Sequence, residues 1–318
     1  MRRLFAVLML CCCTVLPAAA ADLSHLRAAL AKARFIAYTP SAYAETADGQ
    51  PLPVGTAALR HDLEILRPDF DGLVTYACRD GLEQLPAIAA GLGFRALVIG
   101  VWNPADPAEI DAAIAAARAY PQLVVAISVG NEGLISQRYD WATLKAGIER
   151  VRAALPALPV STSEPFVIHL DRAPEGFLAA QDFLHPNIHP LFESWFTPQR
   201  LDGGMDFLAA ILDRLAQAAP GKPILVKETG VPGQPDGEWS PAVQAAFWSR
   251  LETRFPRNQQ RAFTAFEAFD APWKPIALAR QFAKLGFKPD PREAFWGFYT
   301  STGEPKPVVT ALRALRPR

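Results

Sequence analysis

The sequence predicts a (β/α)8 barrel, and three observations carry that prediction. Eight short apolar, β-branched or aromatic runs alternate with stretches of helical periodicity over about 280 residues, the length of one such barrel. The fourth run, Leu123-Val-Val-Ala-Ile-Ser-Val129, is apolar almost throughout, as a strand covered on both faces must be. The turn after the first run is Tyr38-Thr39-Pro40, without the glycines an open doubly wound sheet uses there to approach a phosphate. The open sheet is therefore the weaker reading.

In chain order, residues 23–33 carry apolar side chains at helical spacing and form an entry helix. Residues 34–38 are the first strand, stopped by Thr39-Pro40, and a polar loop through Pro53 leads to a helix over 56–66. The second strand covers 72–77, with a helix over 82–91, and the third covers 96–102, ended by Asn103-Pro104. Asp106-Pro107 supplies the N-cap and first-turn proline of a helix that runs to Tyr120. The fourth strand then ends in Gly130-Asn131-Glu132. A helix over 140–155, a short fifth strand over 158–162 and an irregular stretch over 163–181 with one helical turn follow. The sixth strand is 183–189, a long helix is 199–218, and the seventh strand is 224–228. Ser240-Pro241 starts a helix to 255, and an aromatic-rich eighth strand covers 262–269. Together these make one TIM-barrel domain over 22–318.

The N-terminus has the form of a signal peptide over 1–21: Arg2-Arg3, an apolar stretch from Leu4 to Leu16, then Ala18-Ala-Ala-Ala21. The apolar stretch is too short to span a bilayer comfortably, so an exported, periplasmic or extracellular protein is expected. Three of the four cysteines fall in this leader, which leaves Cys78 without an internal disulfide partner and suited to a small buried position. Thirty-two basic and thirty-two acidic residues leave no cationic excess to neutralise phosphates. Nucleic acid and a stable membrane partner are therefore excluded, and a monomer is expected. The twenty-nine prolines sit at segment ends as loop punctuation.

In a barrel of this kind the C-terminal strand ends converge on one face, where function resides. Here they bring Tyr38, Tyr76, Trp102-Asn103, Asn131-Glu132, Glu164, His189, Glu228 and the stretch from Glu267 through Asp270 and Trp273 to Lys274. That set is acidic and aromatic, which suits a neutral ligand with many hydroxyls, such as a sugar chain. No metal or cofactor is expected, since His185 and His189 lie about 13 Å apart along a strand, too far to share an ion. Glu132 and Glu228, on strands four and seven, face each other across a narrow mouth, where a separation of about 5 Å would suit a retaining glycosidase. One carboxylate attacks the anomeric carbon. The other protonates the leaving oxygen, and burial beside its partner would raise its pKa for that task. Asn131 is placed to bond the sugar 2-hydroxyl, Tyr76 to hold Glu228, and Trp273 to stack on a ring. Strand alternation directs Lys227 away from Glu228 towards the helix layer.

These residues resemble glycoside hydrolase family 17, the β-1,3-glucanases and β-1,3-glucanosyltransferases. The resemblance rests on Val74-Thr-Tyr-Ala77, Ile99-Gly-Val-Trp102, Val129-Gly-Asn-Glu132, Asn187-Ile-His-Pro190, Lys227-Glu-Thr-Gly-Val-Pro232 and Phe266-Glu-Ala-Phe-Asp-Ala-Pro-Trp-Lys274, in that order. Trp296-Gly-Phe-Tyr299 and Gly303-Glu-Pro-Lys-Pro307 resemble its closing segment, so the likeness runs from about Phe35 to Pro307. Plant members have serine and tryptophan at the positions of Lys227 and Val231; Glu267 and the Ala-Pro-Trp-Lys ending resemble bacterial members. The resemblance implies Glu132 as acid/base and Glu228 as nucleophile, with Tyr76, Asn131 and Lys274 lining the site; the strand-end reading adds Tyr38, His189, Glu267, Asp270 and Trp273 as substrate contacts. A retaining enzyme on β-1,3-glucan is the expectation. Its rivals are a β-1,3-glucan transglycosylase, an inactive glucan-binding protein, and a barrel enzyme for another linkage.

Overall fold

The longest strand, Val124–Asn131, is the one whose sequence is most continuously apolar, and it lies buried along its whole length. The computed structural model describes residues 21–316; of the leader expected over 1–21, only the last residue falls within them. The elements run α1 (Ser24–Lys32), β1 (Phe35–Tyr38), α2 (Thr56–Leu66), β2 (Gly72–Thr75), α3 (Leu85–Gly91), β3 (Ala96–Val101), α4 (Pro107–Ala119), β4 (Val124–Asn131) and α5 (Trp141–Ala154). They continue with β5 (Val160–Ser163), α6 (Phe166–Leu170), α7 (Leu201–Ala218), β6 (Ile224–Val226), α8 (Pro241–Arg254), β7 (Arg261–Ala265), α9 (Lys274–Gln281) and α10 (Pro307–Ala314). The caps expected at Asp106 and Ser240 are present, Asp106 accepting from the amides of Ala108 and Glu109 and Ser240 from Val243, and Asp140 caps α5 by accepting from Thr143. Among the described residues no helix is long and apolar enough to cross a membrane.

The strands are parallel in the order β5-β4-β3-β2-β1-β7-β6. The gap between β5 and β6 is filled by residues 182–188, which include most of the sixth strand expected over 183–189 and make single bridges rather than a regular ladder. On one side the Asp182 and Asn187 amides donate to the carbonyls of Val160 and Glu164. On the other, Leu184 and Ile188 donate to Pro223 and Glu228, and Lys227 donates to the carbonyl of Pro186. Pro186 has no N–H to give, so the ladder breaks there while the (β/α)8 barrel still closes. The predicted eighth strand likewise stops as a ladder at Ala265. Its continuation is held by Ala268 donating to Ala37, and by the segment around Trp296 to Tyr299. Gly297 is required in that segment, because a Cβ there would lie 2.1 Å from the Asp270 amide nitrogen.

Two apolar layers follow from strand alternation. Outward residues such as Ile36, Leu73, Leu97 and Ile127 pack under the helices. Inward residues Phe35, Val74, Ala96, Val98, Phe183, Leu225 and Ala262 fill the barrel floor, together with Leu26, Ala29 and Leu30 of α1. The entry helix is thus a plug under the strands, and burying each leucine there stabilises the fold by about 1.5–3 kcal/mol. Val125 and Ala126 both belong to the inner cluster because the β3–β4 register slips by one residue between Val124 and Ala126.

Candidate active site

A second irregularity in β4 builds the site. The β4–β5 register shifts between Ser128 and Asn131, and Gly130 there has φ +78°. A Cβ at Gly130 would meet the Tyr139 hydroxyl at 2.2 Å and Leu144 at 3.0 Å, so only glycine allows the turn. Its effect is to swing Asn131 into the barrel and Glu132 to the rim. Glu132 itself has φ +51°, a conformation rare for a side-chain-bearing residue and stored here at the proposed reacting group. The loop beyond is held from below by Glu164, whose carboxylate accepts from the amides of Leu134 at 2.8 Å and Ile135 at 3.3 Å. Burial pushes the Glu164 carboxyl up to about 7, against those two amides.

Glu132 and Glu228 line the same cavity, and each acts on the ionisation of its surroundings. Asn187 donates to Glu132 Oε1 at 2.8 Å. Burial first, and the charge of Glu228 second, push the Glu132 carboxyl up to about 8. Burial works in the same direction on Glu228, but His189, Lys227 and Lys274 outweigh it and hold that carboxyl below its ordinary value. His189 Nε2 lies 3.5 Å from Glu228 Oε2. Two carboxyls are thus split into a proton holder and an anion, which is what acid/base and nucleophile require.

Lys227 corrects the sequence reading. It does not point to the helix layer: it is buried inside the barrel, donating to Asn131 Oδ1 at 2.8 Å, with its ammonium 4.1 Å from the centre of the Tyr76 ring. Leu225 faces inward, so alternation carries Lys227 inward as well, and it is Glu228, past the end of β6, that leaves the strand pattern. Burial lowers the Lys227 ammonium to about 8 despite the favourable charges of Glu228 and Glu132.

Of the other predicted contacts, Tyr76, Asn131, His189, Glu267, Trp273 and Lys274 line the cavity. Burial raises the Tyr76 phenol far above its usual value, and Glu228 adds to this, so it stays a neutral donor facing carboxylates. Glu267 is raised by burial, although it pairs directly with Lys274. Trp273 lies 4.3 Å, centre to centre, from Tyr43. Tyr38 also lines the cavity, yet its hydroxyl is committed to Asp62 at 2.9 Å, so it offers a ring surface but not its OH. Asp270 is a correction. It does not line the cavity but bonds Lys306 at 2.9 Å and the Gly297 amide at 3.0 Å, which ties the closing segment to the barrel. Cys78 is buried, with its thiol pushed up to about 12 by burial, and its amide donates to Glu109.

Several groups in the site escaped the sequence reading. Asn187 is one; its place in Asn187-Ile-His-Pro190 at a strand end was the available signal. Arg138 is another: its guanidinium sits 3.7 Å over the Trp102 ring and donates to the Asn131 carbonyl at 2.6 Å. No periodicity marks an arginine in a loop. The helix α9 adds a wall. Arg280 pairs with Glu45 at 2.8 Å, and Lys284, just beyond α9, reaches the Gln137 carbonyl at 3.0 Å, so the segment spans from the loop after β1 to that after β4. The cavity is about 740 Å³, and its rim carries exposed Phe192, Leu285 and Phe287.

A (β/α)8 barrel with a split pair of carboxylates in an aromatic cavity at its C-terminal face defines a glycoside hydrolase. Residues 36–297 match the BtgE/BtgC glycoside hydrolase domain, and the chain belongs to that family. It is 26% identical over 267 residues to a glucan 1,3-beta-glucosidase from Arthroderma benhamiae, covering 79% of this chain and 83% of that one. The fold is similar to a family 17 β-1,3-glucanosyltransferase from Rhizomucor miehei, with a TM-score of 0.62, 23% identity and coverage of 87% and 96%. It is also similar to an endo-laminarinase from a Formosa strain, with a TM-score of 0.61, 20% identity and coverage of 88% and 86%.

Proposed function

We propose that the protein is a retaining glycosidase acting on β-1,3-linked glucan, with Glu228 as nucleophile and Glu132 as acid/base. The observation that carries the mechanism is the opposed setting of the two carboxyls, Glu132 raised and Glu228 lowered, in one cavity. Glu228 attacks the anomeric carbon while protonated Glu132 gives its proton to the departing oxygen. Glu132, now an anion, then takes a proton from the incoming water as its oxygen bonds to the anomeric carbon and the bond to Glu228 breaks, which restores both carboxyls. Asn131 and Tyr76 bind and orient from beneath, and Trp102, Trp273 and Tyr43 offer faces to sugar rings. The linkage is supported by what the relatives are named for: a glucan 1,3-beta-glucosidase, a laminarinase, and a glucanosyltransferase mutant in complex with laminaritriose. Glu267 and the Ala-Pro-Trp-Lys ending at Lys274 support a likeness to the bacterial type of family 17, and the leader expected over residues 1–21 would carry the protein to the periplasm or beyond.

A transferase is the second reading, and the exposed apolar rim of Phe192, Leu285 and Phe287 favours it. Such a surface can hold an acceptor sugar where water would otherwise enter. Product analysis on laminari-oligosaccharides over time tests both. Shorter oligosaccharides alone indicate hydrolysis, and products longer than the substrate indicate transfer. Binding with neither product would overturn the enzymatic reading.

A further inference from the structure

The buried ammonium of Lys227 has no step of its own in the chemistry above, yet it lies directly beneath the reacting groups. A lysine is a donor only, so the one end of the Asn131 amide that can meet it is the oxygen. With Oδ1 bound to Lys227 at 2.8 Å, the Nδ2 group is turned to the other side. Among the described residues Nδ2 meets no hydrogen-bond partner, and it is not a buried orphan; Asn131 lines the cavity. The asparagine therefore presents donors, not an acceptor, to whatever enters. Lys227 directly precedes Glu228 in the chain, and its ammonium bonds the residue before Glu132 at 2.8 Å, so its charge acts on both glutamates. Lys227 faces Glu132, Glu228, Glu164, Arg138, Tyr76 and His185. Glu228 faces His189, Lys274, Lys227, Glu132, Glu267 and Tyr76.

We propose that Lys227 is a positioning residue that fixes the Asn131 amide with Nδ2 towards the sugar 2-hydroxyl and holds Glu228 as an anion. The first half rests on the glycosidase reading above; the second concerns the free protein alone. His189 and Lys274 share the charge role, but only Lys227 also binds Asn131. One residue thus couples recognition of the sugar to readiness of the nucleophile.

The test compares wild type with Lys227→Met, which keeps the length and removes charge and donor, and with Lys227→Gln, the milder variant should Met not fold. The substrates are an aryl β-laminaribioside and its analogue lacking the 2-hydroxyl on the ring that bears the aryl group. Wild type is expected to discriminate against the analogue in kcat/KM, and Lys227→Met to lose about tenfold of that discrimination. The acid limb of the pH profile should move up by about one unit in both variants, a tenfold change in ionisation. Carbon-13 NMR titration of the Glu228 carboxyl, assigned with Glu228→Gln, should show the same rise without any substrate. Uniform loss across pH and both substrates, with an unmoved Glu228 titration, would overturn the proposal and leave Lys227 a structural residue. If wild type cleaved neither substrate, the glucan reading would fall while the NMR titration still decided the charge role.

Discussion

The two ends of the barrel interior are built from the same strands and hold opposite contents. At the floor, Phe35, Val74, Val98, Phe183 and Leu225 meet Leu26 and Leu30 of the entry helix in a dry apolar plug. Further along the same strands, Tyr76, Asn131, Lys227 and Glu228 meet in a polar cluster with little apolar filling. Burying charged groups costs free energy unless they are paired and hydrogen-bonded, so the mouth draws on stability that the floor supplies. The difference teaches where this fold can tolerate frustration: beyond the ladder, where β6 has already ended at Val226 and Gly130 has re-aimed β4.

The comparison breaks first at the mouth. Glu228→Gln and Glu132→Gln should each lower turnover roughly a thousandfold or more while leaving the thermal midpoint unchanged or higher, as steady-state kinetics and calorimetry would show. A Glu228→Gly variant supplied with azide should yield the α-configured glycosyl azide. The floor should respond in the opposite sense. Leu30→Ala should lose about 2–5 kcal/mol of stability in urea titration, with kcat per folded molecule unchanged.

Proton dependence sharpens the contrast, since the floor cluster among the described residues is made of apolar side chains that do not titrate. Glu132 must be protonated and is raised to about 8, so activity should be full below that value and fall as pH rises through it. Glu228 must be ionised and is held low, so activity should fall only as pH drops below the ordinary carboxylate value. Glu132→Gln should abolish the alkaline limb and keep the acid one. The smallest effect is expected from Asp270→Asn, which touches neither end. It should weaken the tie to Lys306 by about 1–3 kcal/mol and leave KM as it was.

How legible each end was follows from the same physics. The floor could be read because period-two alternation and helical spacing are repeated signals, and the entry helix and the caps at Asp106 and Ser240 came out as predicted. The partner glutamates were readable because a carboxylate closing an apolar run is rare without a use. The misreadings cluster where regular period fails. Alternation counted from Glu228 sends Lys227 outward, although Leu225 and not Glu228 sets the phase of β6. Asp270 was grouped with its motif neighbours, yet the chain turns it to Lys306 and Gly297. The sixth strand was found, but Pro186 forbids its ladder. The α9 wall and the stack of Arg138 on Trp102 depend on contacts distant in sequence, which no local pattern encodes.

The central claim is that Glu132 and Glu228 divide one displacement into two, with net retention. Proton NMR of the first products from laminari-oligosaccharides reads this directly. The account predicts that the newly formed anomeric centre appears first as β, at a free reducing end or in a new linkage. An α-anomer appearing first would contradict it.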